Sequence, residues 1–153
     1  MFGYHTLRRE QRLPGTPDDV FPFFADAGNL EAITPPWLAF SIAMPHGSPA
    51  MRVGTVIEYR LKLHGLVISW LTQIQDWQPG VRFVDAQLRG PYALWHHTHD
   101  FEPAPAGGTI MRDTVRYAIP YGPLGAAAHA LFVRRDLERI FDFRTAAIAR
   151  RLG

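Results

Sequence analysis

The chain is expected to fold as an α+β domain in which a curved antiparallel sheet of about seven strands wraps around one long C-terminal helix. Three observations carry that expectation. From Trp37 to Ile119 the apolar residues recur with a period of two, broken only by short glycine- and proline-bearing connections. From Pro123 to Arg150 the period becomes helical and stays so. Between a first strand and the other six lies a pair of short helical segments.

The first strand spans Tyr4 to Leu13, with Leu7 and Leu13 on one face. Thr16 then starts a helix: its hydroxyl suits the N-cap, Pro17 suits the first position, and Asp18 and Asp19 face the positive end of the dipole. Val20, Phe21, Phe23 and Phe24 follow, and Pro22 among them requires a short or kinked first turn. A second helix, Gly28 to Ile33, stops at Thr34-Pro35-Pro36. Six strands follow: Trp37 to Met44, Thr55 to Leu63, Leu66 to Trp77, Val81 to Arg89, Tyr92 to Phe101 and Thr109 to Ile119. They are joined at Pro45-His46-Gly47, His64-Gly65, Pro79-Gly80, Gly90-Pro91 and Pro103 to Gly108. Connections this short make antiparallel neighbours, because a parallel crossover needs a dozen residues or more. The final helix carries a stripe of Ala130, Val133, Leu137, Ile140, Phe141, Ala147 and Ile148. A rod of that length is unstable alone in water, and the sheet is the only surface large enough to bury its stripe.

Composition narrows the function. The 153 residues suit a single domain covering 1–153, 47% hydrophobic and 20% charged. Sixteen basic residues against fourteen acidic ones give a net charge of +2 with no basic run among aromatics, so no nucleic-acid partner is expected. The chain has no cysteine, which excludes disulfides, thiolate catalysis and cysteine-bound metal. The start, Met1-Phe2-Gly3-Tyr4-His5, turns charged at Arg8 and Arg9, unlike a secretory leader. The least polar stretch, Pro123 to Val133, is too short to span a bilayer. A cytoplasmic location without a membrane span is expected.

Several runs carry a resemblance across nearly the whole chain. They are Phe23-Phe24-Ala25-Asp26-Ala27-Gly28-Asn29-Leu30 leading to Thr34-Pro35, Arg82-Phe83-Val84-Asp85, Gly90-Pro91-Tyr92-Ala93-Leu94-Trp95-His96-His97-Thr98-His99, and Tyr121-Gly122-Pro123-Leu124-Gly125. With the element order, they resemble the START-like, or SRPBCC, superfamily of helix-grip proteins, polyketide cyclase/dehydrase-like members and lipid carriers among them. The match is to a subgroup of small bacterial members. The resemblance implies a ligand cavity between helix and sheet; it does not imply one particular chemistry.

Strand alternation sorts the faces. Phe83, Asp85 and Gln87 share one face, as do Trp95, His97, His99 and Phe101, and likewise Met111, Asp113, Val115 and Tyr117. A turn at Gly90-Pro91-Tyr92 places Gln87 across from Trp95, Asp85 from His97 and Phe83 from His99; a register of the last strand against Tyr92 to Phe101 places Asp113 across from His99. The aromatic-rich faces turn inward, so Asp85, His97, His99 and Asp113 form a polar wall. A carboxylate fixes an imidazole's tautomer and raises its basicity, which makes these the candidate acid/base residues. The same pairs also serve as structural hydrogen bonds between buried polar groups. His96 points to the opposite face, leaving two imidazoles on one strand, and no metal or other cofactor is expected. The candidate ligand-binding residues are Tyr59, Phe83, Gln87, Trp95, Phe101, Met111, Val115, Tyr117, Val133 and Leu137.

Three functions fit these features. The preferred one is binding of a small hydrophobic molecule, lipid, polyketide-like or aromatic, as a partner. The second is a cyclase, dehydratase or aromatase using a His–Asp pair. The third is a protein-interaction module whose exposed sheet face supports a homodimer.

Overall fold

The computed structural model of the chain describes residues 3–44 and 50–153, so the Pro45-His46-Gly47 turn lies outside the described residues. Strand β1 (Tyr4–Leu13) leads to helix α1 (Pro17–Ala25), whose start is a reciprocal cap. Thr16 Oγ1 accepts from the Asp19 backbone N–H at 3.2 Å, and the Asp19 carboxylate accepts from the Thr16 N–H at 3.1 Å. The helix runs through Pro22 and buries Val20, Phe21 and Phe24. Helix α2 (Asn29–Ala32) is a single turn ending before Thr34.

The expected strand from Trp37 to Met44 is mostly not a strand. Pro36–Leu38 forms a 3₁₀ turn, Ala39 has a left-handed backbone at φ +46°, and β2 is only Ser41–Met44. Prolines 35 and 36 offer no N–H to a ladder, and β2 is a sheet edge with one neighbour to hold it.

The remaining strands are β3 (Val56–Leu63), β4 (Leu66–Gln78), β5 (Arg82–Arg89), β6 (Leu94–Pro103) and β7 (Thr109–Ala118). The seven strands make one sheet in the order β1-β7-β6-β5-β4-β3-β2, antiparallel at every step. Both residues of the His64-Gly65 turn have positive φ, the twist that a two-residue hairpin requires. Strand β1 pairs with β7 from Tyr4↔Ala118 to Leu13↔Thr109, so the chain's first strand closes onto its last.

Helical structure continues from Gly122 to Leu152 but changes its winding on the way. Helix α3 (Gly122–Ala128) passes into a π-helical turn (His129–Val133) and then into α4 (Arg134–Leu152). The wider turn shifts the stripe: Leu137, Phe141, Ala147 and Ile148 are buried and Ile140 is half-buried, whereas Ala130 is exposed. The core has two apolar clusters. One gathers Val20, Phe21, Phe24, Phe83, Phe101, Met111 and Ile148; the other gathers Trp95, Val115, Tyr117, Leu137 and Phe141.

Gly125 explains how the helix leaves the sheet. It is buried, and a Cβ there would collide with the Pro120 carbonyl oxygen at the exit from β7. In an open helix alanine would be favoured over glycine by ~1 kcal/mol. Here Gly125→Ala is expected to destabilise instead, by about 1–3 kcal/mol, as overpacked sites do. Urea unfolding measures the sign, and a gain in stability would contradict the close approach.

Candidate functional site

The inner face of each element across the middle of the fold changes from apolar to polar and back. Along β6 the order is Trp95, His97, His99, Phe101; along β7 it is Tyr117, Val115, Asp113, Met111. Along α4 it is Leu137, Phe141, Arg144, Ile148. The two apolar clusters hold the ends of these series, so a band of polar side chains lies buried between them. Asp85 of β5 completes the band.

The expected registers hold for Asp85↔His97, Phe83↔His99 and His99↔Asp113. The hydrogen bonds, however, run diagonally. His99 Nε2 bonds Asp85 Oδ2 at 2.6 Å, and His97 Nε2 bonds Asp113 Oδ1 at 2.8 Å. Asp85 and His97 are the cross-strand neighbours that register predicts, but each bonds a diagonal partner, because an imidazole is long enough to reach past the residue that faces it. Asp85 and His97 still bring polar atoms within 4.8 Å. His99 is sandwiched, with Phe83 stacked 3.8 Å on one side and His97 3.7 Å on the other.

Arg144 is the residue that sequence reasoning missed. It is 7% exposed, with Nη2 3.4 Å from Asp113 Oδ1 and its guanidinium 5.8 Å from the Phe24 ring centre. Its signal was available: it lies three residues beyond Phe141 and four before Ile148, an arginine on the apolar stripe.

Burial alone would neutralise these groups, and the partners decide otherwise. Burial pushes the Asp113 carboxyl up, but the Arg144 charge, the bond from His97 and His99 Nδ1 at 3.3 Å hold it well below 3.8. Burial likewise opposes ionisation of Asp85, and its bond from His99 together with nearby positive charge brings it below 3.8. Burial opposes charge on His99 too, yet its contacts with Asp113 and Asp85 raise it above 6.5. His97 goes the other way: burial and the neighbouring His99 charge lower it, outweighing Asp113. The band therefore holds two carboxylates, one guanidinium and two imidazoles of unlike affinity for a proton, His99 keeping its proton to higher pH than His97.

His97 is the ring whose unbonded nitrogen is open to the cavity, whereas His99 Nδ1, 3.3 Å from Asp113 Oδ1, is sealed by packing without a hydrogen bond. A carboxylate only accepts, so His97 donates Nε2–H to Asp113 and leaves its lone pair at Nδ1. That atom has no protein hydrogen bond among the described residues and is not sealed by packing, so it is reached from the cavity that His97 lines. The cavity has a volume of about 190 Å³ and lies between the sheet and α4. Of the expected residues, Tyr59, Phe83, Asp85, Trp95, His97, His99 and Leu137 line it together. Burial and the charge of Asp85 raise the Tyr59 hydroxyl pKa, so it stays a neutral phenol.

Other expected lining residues lie elsewhere. The Gln87 amide bonds both the carbonyl and the N–H of Tyr92, stapling the turn, and the β5–β6 ladder ends at Ala86↔His96 before Gln87 can face Trp95. Phe101 and Met111 pack with Phe21 and Ile148, and Val115 is fully buried in the other cluster. Tyr117 directs its hydroxyl to His129 Nε2 at 2.8 Å. Val133 lines a second hollow with His64, Phe132 and Asp136, which shares Leu63, Tyr92, Leu137 and Ile140 with the main cavity. Trp70 and Tyr92 line the cavity without having been expected there.

Asp85, His97 and His99 each bring one potential ligand atom within 4.8 Å of the others. The same groups are engaged in the His99–Asp85 and His97–Asp113 hydrogen bonds, so a cation held there would displace the proton between His99 and Asp85.

The pH dependence has a definite sign. His99 has a raised pKa in the fold, so its stabilisation is complete below 6.5 and is lost as pH rises through the folded value. The stability gap between the wild type and His99→Gln is therefore expected to narrow from about pH 6 to about pH 9 in urea titrations. A gap that widens with pH would contradict a charged His99.

The chain matches the family described as polyketide cyclase/dehydrase and lipid transport over residues 4–153. Among solved structures it is similar to the Mll3558 protein from Rhizobium loti, at 20% identity and TM-score 0.69, covering 96% of this chain and 99% of that one. It is similar also to TTHA0849 from Thermus thermophilus, at 18% and 0.66, covering 97% and 100%. Protein Ms6760 from Mycobacterium smegmatis aligns at 14% and 0.64, covering 97% and 96%. These likenesses show the fold. A comparison with curated proteins found no match. Among the described residues no helix is long and apolar enough to cross a membrane. The helix-grip architecture and the match over nearly the whole length place this chain in the polyketide cyclase/dehydrase and lipid transport family.

Proposed function

We propose that this protein binds a small, largely apolar molecule, such as a lipid, a polyketide-like compound or an aromatic metabolite, in the cavity between the sheet and α4. The observation that carries the reading is the cavity itself, about 190 Å³ and walled mostly by leucine, isoleucine, phenylalanine and tryptophan side chains. A dry cavity of ~150 Å³ accommodates benzene, so this one suits a substituted ring. The adjoining hollow shares part of that wall, and His64 Nε2 and Asp136 Oδ2, which also line it, meet at 2.6 Å.

A second reading, proton transfer on a bound ketone as in a cyclase, dehydratase or aromatase, is favoured by one specific observation. His97 is backed by Asp113 and turns its free Nδ1 to the cavity, which is the disposition of a general base. Asp85 and His99 engage each other, so His97 is the imidazole available for chemistry.

The neutral probe N-phenyl-1-naphthylamine separates these readings. Leu137→Trp fills the cavity and is expected to abolish the probe's fluorescence enhancement. His97→Ala is expected to keep affinity within about tenfold, since one polar contact contributes about 0.5–1.5 kcal/mol. For an enzyme, His97→Ala would also lose turnover of a polyketide-like ketone by ~10² or more with binding retained. A folded Leu137→Trp variant that binds the probe like the wild type would refute the cavity as the binding site.

A further inference from the structure

The polar end of the cavity has two complementary deficiencies. Arg144 lines the cavity from α4, yet among the described residues its one hydrogen bond is the long 3.4 Å contact of Nη2 with Asp113. Its Nε is sealed without a partner, and its Nη1 has no hydrogen bond among the described residues and is not sealed, so the outer end of the fork is the part a ligand can reach. A guanidinium is a fork of donors, and a buried cation whose donors lack partners is unfavourable. His97 lacks the converse: its Nδ1 lone pair meets the cavity with no donor from the protein among the described residues. Both side chains bond the same atom, Asp113 Oδ1, from 2.8 Å and 3.4 Å, so they stand side by side.

One functional group answers both. A carboxylic acid accepts from a guanidinium through its carbonyl oxygen and presents an acidic O–H to a neutral imidazole. The charges around His97 favour the acid over a bare anion. Asp85 on β5 and Asp113 on β7 are ionised, Arg144 on α4 is cationic, Tyr59 on β3 is neutral, and His99 on β6, bonded to Asp85 at 2.6 Å, holds its proton above the ordinary imidazole range, so with His99 protonated the band is balanced. A carboxylate entering alone would unbalance it, whereas a carboxylate accompanied by a proton leaves it neutral. Most of the remaining wall, Trp70, Trp95, Leu137 and Phe141 among it, takes the apolar body, with Asp26, Asn29 and Thr34 as its other polar residues.

Building on the binding reading above, we propose that the cavity's ligand is a hydrophobic carboxylic acid, its carboxyl group held between Arg144 and His97 and its binding accompanied by uptake of a proton. The proton comes from solvent and is shared between a carboxyl oxygen and His97 Nδ1; no covalent bond to carbon forms or breaks.

The test compares 2-naphthoic acid with 2-acetylnaphthalene, which has the same shape and a carbonyl but no acidic hydroxyl. At about pH 6.5 the acid is expected to bind the wild type about tenfold or more tightly than the ketone, in keeping with a hydrogen bond to a charged group. Arg144→Met is expected to remove that preference, and Arg144→Lys, which keeps charge but loses the fork, to retain part of it. Calorimetry of the wild type at about pH 7.5, in buffers of different ionisation enthalpy, is expected to show uptake of about one proton per acid bound. This last measurement needs no variant to fold. Equal affinities, a preference that survives Arg144→Met, or binding without proton uptake overturns the carboxylic-acid proposal while leaving the apolar-binding reading intact. If neither compound binds, both fall.

Discussion

Asp113 is the atom-scale constraint on which the middle of this fold depends. Its Oδ1 accepts from His97 at 2.8 Å, lies 3.4 Å from Arg144 Nη2 and 3.3 Å from His99 Nδ1, and is nearly closed to solvent. A carboxylate in such a place stays charged only because positive partners surround it. Removing one partner of a buried ion group leaves its counter-charge uncompensated, typically at ~3–5 kcal/mol. Through this one side chain β6, β7 and α4 are held in a fixed relation, and the helix cannot slide along the sheet without separating Arg144 from Asp113.

The cavity is a consequence of that band. Leucine or phenylalanine at 97, 99, 113 and 144 would let the two aromatic clusters merge into one filled core. Polar groups that need one another's geometry resist such collapse, and the space beside them stays open along the wall formed by Tyr59, Phe83 and Trp95. The same residues therefore hold the helix in place and give the cavity a buried, charged wall. Selectivity follows in principle: apolar surface gives affinity, and a few oriented polar groups give direction.

Much of this was legible from the chain itself, because strand periodicity is strict. Alternation placed Asp85, His97, His99 and Asp113 on inward faces, and the short Gly90-Pro91 connection put Asp85 opposite His97. What alternation cannot supply is side-chain direction, and the exchange of partners between the two Asp–His pairs is a rotamer choice made in three dimensions. Arg144 escaped notice because a charged residue on a long helix is usually solvated, and only its place between Phe141 and Ile148 on the stripe argues otherwise. The strand expected at Trp37 failed where prolines 35 and 36 outweighed an apolar run. The helix was legible as one rod, but the π-helical turn at His129–Val133 is a change of winding with no periodic signature, and it turned Ala130 outward.

The unequal protonation of two stacked imidazoles is the feature on which the whole site turns. It is read most directly by nitrogen-15 NMR of the histidine side chains, with His97→Gln and His99→Gln giving the assignments. At pH 6.5 the His99 ring is expected to be the more protonated of the two, while His97 is mainly neutral with protonated Nε2 and a free Nδ1. On acidification His97 is expected to titrate below 6.5, and on raising the pH His99 above it. Two rings titrating together near 6.5, or a neutral His99 beside a charged His97, would contradict the ion network and the free imidazole nitrogen that depends on it.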